Sequence, residues 1–142
     1  MVILTQTDTT VGFISQDEKQ LIEIKERVST KPFIKIYKDF KTLLTCRNRV
    51  PSKFKNIVRR SGKTTFIVKG KAFRVAKNSV NSQPIRDMDW HFSTSANEIG
   101  KNYDPKFCEQ KSDIICETKD GLRENCSSSL YKLNNSKRIK LR

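Results

Sequence analysis

Residues 59–68 read RRSGKTTFIV, and the GKT within them matches the lysine-bearing end of a nucleotide-binding loop. A phosphate-cradling P-loop, G-x-x-x-x-G-K-[ST], needs glycines that turn successive backbone N–H groups toward the phosphates. It also needs a lysine for the outer phosphates and a hydroxyl for magnesium. Here the first glycine position holds Ile57, and Val58, Arg59, Arg60 and Ser61 fill the loop. The context is reversed as well: FKNIVRR, with helical spacing, precedes the motif, and TTFIV, β-branched and aromatic, follows it. GKTT therefore reads as the start of a strand after a helix, and any nucleotide must be held by other residues.

Metal and thiol chemistry find little support. Cys46, Cys108, Cys116 and Cys126 form no C-x-x-C pair, and His91 is the single histidine of the chain, so no metal site is expected. The four cysteines read as reduced thiols, with two disulfides as the alternative. No apolar run is long enough to span a bilayer, and MVILTQTD turns polar too early for a signal peptide. A soluble cytoplasmic protein without membrane contact is expected.

Positive charge is the strongest compositional signal. The net charge is +14 over 142 residues, and Lys35 to Lys77 carries fourteen basic residues against one acid, Asp39. Five more basic residues lie between Lys132 and Arg142 with no acid among them, so the remainder is mildly acidic. Such concentration attracts polyanions by Coulomb steering and by release of condensed counterions. RNA, DNA, nucleotides and an anionic membrane surface are the candidate ligands, against the alternative of a solvated lysine-rich face. Lys53, Lys55, Arg59 and Arg60, on one basic segment, are the candidate RNA-binding residues.

These residues must be positioned by a mixture of strands and helices. VILTQ is a strand that TDTTVG turns away from. SQDEKQLIEIKERV predicts a helix, with Ser15 and Glu18 as a capping box and Leu21, Ile24 or Lys25, and Val28 at helical spacing. KPFIKIY is a strand, DFKTLL a short helix capped by Asp39, and Pro51 opens a basic helix through Arg60. TTFIV and AFRVA form a hairpin across Lys69, Gly70 and Lys71. WHFSTS is a strand in which His91 is a side chain of the sheet rather than a base, and Trp90 belongs to the core. A loop at Ala96 and Asn97, a helix near PKFCEQ, and strands DIICE, SSLYKL and KRIKLR complete the chain. The prediction is one α/β (α+β) domain over 1–142, built on a mostly continuous twisted mixed sheet.

TQTDTTVG, EIKERVSTKPF, GKTTFIV, FRVAK, STSAN and SSSLYKL follow one another in an order that resembles the YrdC/TsaC family, also labelled YciO or YwlC. That family's pattern runs PTDTVYGL, KxRP with KPL, GPLT, VRVP, STSAN, PSTIVDL and a closing LRxG. The resemblance spans residue 5 to residue 142, with STSAN and the upstream KxR its most specific parts. It implies a YrdC-like fold with a basic concave cavity. The implied enzyme is a nucleotidyltransferase that makes threonylcarbamoyl-AMP and pyrophosphate from L-threonine, bicarbonate and ATP, with Mg2+ accompanying the ATP. Transfer proteins then carry the threonylcarbamoyl group to tRNA.

Adenylation builds charge on phosphoryl oxygens, so fixed cations and donors do most of the catalysis and no nucleophilic side chain is needed. By the resemblance Lys25 and Arg27, the KxR pair, supply those cations, and Lys31, Ser95, Asn97 and Arg142 complete the nucleotide contacts. Arg74, aligned with the VRVP arginine, pairs with the threonine carboxylate, while Thr7, Ser93 and Ser128 lie near the amino acid. Were Arg74 on an edge strand, it would instead be one more basic surface residue.

The chain departs from the family pattern in several places. The usual helix before the first strand has no counterpart, and the hairpin between the GPLT and VRVP equivalents is short. Val11, Val28 and Ser127 stand where the aromatic of VYG and the prolines of KxRP and PSTIV are usual. A smaller, looser cavity is expected. The alternative functions are a non-catalytic relative that binds tRNA or double-stranded RNA and a basic ribosome-associated or structural protein, the latter leaving STSAN unexplained.

Overall fold

The computed structural model describes residues 1–26, 33–76 and 87–142. Among these residues nine strands form one sheet: β1 (Ile3–Gln6), β2 (Val11–Ser15), β3 (Ile34–Tyr37), β4 (Thr64–Val68), β5 (Lys71–Val75), β6 (Trp90–Ser95), β7 (Ile114–Cys116), β8 (Ser129–Leu133) and β9 (Arg138–Lys140). Their order is β7-β1-β2-β6-β3-β5-β4-β8-β9. Pairs β1/β7, β3/β5 and β4/β8 are parallel and the rest antiparallel, giving the continuous mixed sheet expected. The helices among the described residues are α1 (Glu18–Lys25), α2 (Phe40–Thr45), α3 (Lys55–Arg60) and α4 (Pro105–Lys111), with a 3-10 turn at Ser52–Phe54 leading into α3.

Cross-strand register puts Leu4, Phe13, Thr94, Lys35, Phe73, Phe66 and Tyr131 along one face. Because side chains alternate, Thr5, Gly12, Ser93, Ile36, Arg74 and Thr65 fall on the other. The first face carries the helices. Phe40 and Leu43 of α2, with Phe54 and Val58 around α3, pack on Tyr37, Phe66, Val68, Phe73, Val75 and Leu133. Leu21 of α1 and Cys108 of α4 pack on Leu4, Val11 and Phe13. Each such large side chain removed from water contributes about 1.5–3 kcal/mol, so the helix-bearing face holds most of the core. The opposite face is left concave.

Two readings of the N-terminal third are corrected. VGFIS, of which the sequence reading gave Val11 and Gly12 to a turn and Ser15 to a helix cap, is strand β2, buried at all five positions. Buried on both faces, it lacks the alternation that marks a half-exposed strand. Ser15 is consequently the last residue of that strand and not a helix cap. Its hydroxyl donates to Met1 O and accepts from the Asp17 N–H. Asp17 caps α1 instead, its Oδ1 taking the Lys19 N–H at 3.0 Å. The helix ends at Lys25, with Glu26 in the left-handed region at φ 46°; Val28 lies outside the described residues.

Elsewhere local chemistry decides as expected. Asp39 caps α2 through the Thr42 N–H, and Pro51 opens the 3-10 turn before α3. The β4–β5 hairpin pairs Val68 with Lys71, leaving Lys69 and Gly70 as a two-residue turn with φ of 50° and 77°. Both positive angles are what such a turn requires to match the strand twist. All four cysteines are free thiols. Trp90 is half-buried at the core's rim, stacked edge-on to Phe92 with the Lys35 ammonium 3.7 Å from its ring centre.

Candidate functional site

The concave face holds a cavity of about 560 Å³, within the roughly 300–1,000 Å³ usual for small-molecule sites. Its wall is hydroxyl-rich: Thr7, Thr9, Thr10, Ser93, Ser95, Ser127 and Ser128 line it, with Arg74 and Arg142 as its cations among the described residues. Gly12 belongs to the wall for a steric reason. A Cβ there would come within 3.0 Å of Thr94 O and 3.1 Å of Thr7 Cγ2.

Arg74 sits on β5, between β3 and β4, so the edge-strand alternative does not hold. It is 3% exposed and pairs with Asp8 at 2.9 Å. From Arg74 a polar chain crosses the cavity floor. Nη1 reaches Thr65 Oγ1 at 3.4 Å, Thr65 Oγ1 shares a hydrogen bond with Ser128 Oγ at 2.7 Å, and Arg142 reaches Ser128 Oγ at 3.5 Å. Arg142 also donates from Nε to Ser128 O at 2.9 Å, and its backbone pairs with Leu130. The terminal arginine is thereby tied down. Burial pushes the Arg74 guanidinium below its ordinary value, Asp8 opposes that shift and nearby Arg142 adds to it. Arg74 Nε is left without a hydrogen-bond partner among the described residues.

A second constellation stands at the end of β6. Lys25 comes from the helix-bearing face and is 3% exposed; its ammonium donates to Asn97 O at 2.7 Å and Asn97 Oδ1 at 2.9 Å. Ser95 Oγ donates to the same Oδ1 at 2.5 Å, and Asn97 Nδ2 donates to Glu98 O and Lys101 O. Lys25 and Asn97 thus meet Ser95, and of the three Ser95 lines the cavity. Since its proton is committed to Asn97, the Ser95 oxygen faces a ligand as an acceptor.

Arg27 and Lys31 lie outside the described residues. Thr7 Oγ1 donates to Thr10 O at 2.6 Å, and Ser93 is buried on the cavity wall. Lys53, Lys55, Arg59 and Arg60 are exposed around α3, away from the cavity. Lys53 donates to Ser136 O, and the Arg59 guanidinium stacks on Phe40 at 4.9 Å.

Asp8, Thr65 and Gly12 complete the site and were missed by the sequence reading. Asp8 stands inside the TQTDTTVG piece, where a lone acid before two threonines looks like a turn former; its pairing with Arg74 joins residues distant in sequence. His91 is buried on the concave face beside Thr5, Asp8 and Ile36, and burial together with the Arg74 charge lowers its pKa to about 4. It is a neutral sheet residue near pH 7, with Nδ1 unpartnered among the described residues. Among the described residues no cluster of three or more metal-ligating side chains occurs, and no helix is long and apolar enough to cross a membrane.

Chemically, the cavity is suited to a polar ligand bearing negative charge. Its described wall has no cysteine, histidine or free carboxylate, so it offers fixed donors and cations in place of a nucleophile.

No protein-family model matches the chain, and no curated protein matches it significantly in sequence. Solved structures do match in fold. A doubly substituted P. abyssi Sua5 superposes with a TM-score of 0.78 at 18% identity, covering 99% of this chain and 52% of that one. P. abyssi Sua5 complexed with L-threonine gives 0.76 at 18% identity, covering 99% of this chain and 49% of that chain. MTH1692 from Methanobacterium thermoautotrophicum gives 0.68 at 19% identity, covering 99% and 79%. The chain therefore has the fold of these proteins and spans about half the length of the Sua5 chains.

Proposed function

We propose, from the YrdC/Sua5-like fold that this chain adopts, that it is a threonylcarbamoyl-AMP synthase, serving threonylcarbamoyladenosine modification of tRNA. The observation that carries this reading is the polar chain from Asp8 through Arg74, Thr65 and Ser128 to Arg142, which fixes two guanidiniums on one hydroxyl-lined cavity. The L-threonine complex of Sua5 adds support for the amino-acid substrate.

In the proposed reaction the threonine amine and bicarbonate form a carbamate with loss of water. A carbamate oxygen attacks the α-phosphorus of ATP, the bond to the β-phosphate breaks, and pyrophosphate leaves. Such a step needs charge stabilisation set in place beforehand. Arg74 Nε, buried and unpartnered among the described residues, gains a partner in the threonine carboxylate. Thr7, Ser93 and Ser128 then surround the amino acid, and Ser95 accepts a proton donor such as the amine or a ribose hydroxyl. Arg142, Arg27, Lys31 and the Lys25–Asn97 unit serve the nucleotide. Asp8 is committed to Arg74, so the described residues do not fit a resident metal, and Mg2+ enters as the counter-ion of ATP. Tying Lys25 to Asn97 makes the lysine a positioning group for the STSAN loop as well as a charge.

The exposed cations around α3 favour a second, compatible activity, binding of tRNA or double-stranded RNA, which is also what a non-catalytic relative would retain. The test of the main reading is pyrophosphate release from purified protein given L-threonine, bicarbonate and ATP with several divalent ions. Release that requires threonine is expected. Release equal to a protein-free control, from folded protein, rejects synthase activity and leaves RNA binding as the surviving function.

A further inference from the structure

A second pocket, of about 250 Å³, lies on the helix-bearing side of the sheet, lined by Arg47, Asn48, Arg49, Val68, Lys69, Lys71 and Phe73. Among the described residues, four cations surround it and no acid lines it. None of the four forms an ion pair with a described residue, unlike Arg74, which Asp8 neutralises. β5 separates this pocket from the cavity by alternation: Lys71 and Phe73 point to the helix side, Ala72 and Arg74 to the concave side.

Two tight turns present these charges, one just past the end of α2 and one in the β4–β5 hairpin. Arg47 and Lys69 both have left-handed φ, 59° and 50°, a conformation that asparagine or glycine takes more easily. Asn48 holds the first loop rigid by donating to the Tyr37 hydroxyl and to Leu43 O. Four like charges on two fixed loops repel one another, and a cleft walled by low-dielectric groups concentrates their field. A compact polyanion relieves both conditions.

We propose that this pocket is a separate anion site that takes two adjacent phosphate groups. They come either from a free diphosphate or from the backbone of an RNA strand. The volume exceeds that of a single phosphate, and two loops approaching from different sides suit two phosphates better than one. The site is independent of the synthase reading, since it shares no charged residue with the cavity.

Amide-resolved NMR titration of the whole chain separates this pocket from the cavity. With inorganic pyrophosphate, saturable shifts are expected at 47–49 and 68–71. In Arg47→Ala/Arg49→Ala/Lys71→Ala, the concentration needed for the remaining amides should rise about tenfold or more. Lys69→Asn, which keeps a residue tolerant of the turn, should weaken binding without loss of fold. If a short RNA duplex moves the same amides and pyrophosphate displaces it, the source is the polymer. If pyrophosphate alone moves them, the source is the free anion. Shifts at these amides that do not saturate with either probe, or that are identical in the triple variant, overturn the proposal.

Discussion

The two faces of the sheet use the same residue types in opposite ways. On the concave face Arg74 is buried, ion-paired and linked through hydroxyls to Arg142. On the helix-bearing side Arg47, Arg49, Lys69 and Lys71 are exposed and lie outside any ion pair with a described residue. Strand β5 contributes to both, with Arg74 on one side and Lys71 on the other. A buried cation must be paired because desolvation is costly, so it belongs to the architecture as much as to the site. An exposed cation is cheap to keep and strongly screened, so it acts on mobile polyanions. Mutating the first kind should register in stability, and mutating the second in salt-dependent binding.

The sharpest break of this contrast is Arg74→Met. It leaves the Asp8 carboxylate buried without its cation and should cost about 3–5 kcal/mol of stability in urea unfolding. Adding Asp8→Leu should recover most of the loss, because replacing both members of a buried pair with apolar groups is often close to neutral. Loss of under 1 kcal/mol in the single variant would show that the pair is more solvated than its burial indicates.

His91 sharpens the same point through pH. Its folded pKa, about 4, lies below the unfolded value near 6.5. The unfolded chain therefore binds the proton first as pH falls. Stability is unaffected by this group above about pH 6.5, then declines toward pH 4 by on the order of 3 kcal/mol. His91→Leu should flatten that part of the stability profile in paired urea titrations. Parallel profiles for the two proteins would mean that the histidine ionises in the folded state.

Asn97→Ala tests the junction between architecture and ligand. It deprives the buried Lys25 ammonium of one acceptor, so a stability loss of about 1–3 kcal/mol is expected. A further roughly tenfold to hundredfold loss of ATP affinity should accompany it in calorimetry. Arg27→Ala should give the affinity loss without the stability loss.

The smallest effect belongs to the exposed helix. Arg59→Ala/Arg60→Ala should leave unfolding unchanged and reduce the log–log salt slope of tRNA binding by about 0.7–0.9 per phosphate contact removed. An unchanged slope would mark α3 as a solvated surface only.

Much of this contrast was readable in the sequence, and the exceptions share a cause. Asp39 and Pro51 announced their helix starts because caps act over a few residues, and Lys69-Gly70 announced its turn. β2 was missed because VGFIS is buried throughout and carries no alternation. Ser15 looked like a cap because Glu18 follows at the right interval, yet strand pairing with Phe92 claimed its backbone. Within the site, the KxR and STSAN pieces pointed to Lys25, Ser95 and Asn97, but not to their mutual hydrogen bonds. Asp8 was invisible as a partner because its meeting with Arg74 depends on the order of strands across the sheet. Alternation in β5 separated Arg74 from Lys71, but only tertiary packing decides which side the helices cover.

The most direct test of the central claim is an amide-resolved titration with L-threonine. Saturable shifts confined to the concave face, around Thr10, Gly12, Ser93, Ser95 and Ser128, and weakened by Ser128→Ala, are predicted. Saturation at the helix-bearing loops, or the absence of any saturable shift in the cavity, would contradict it.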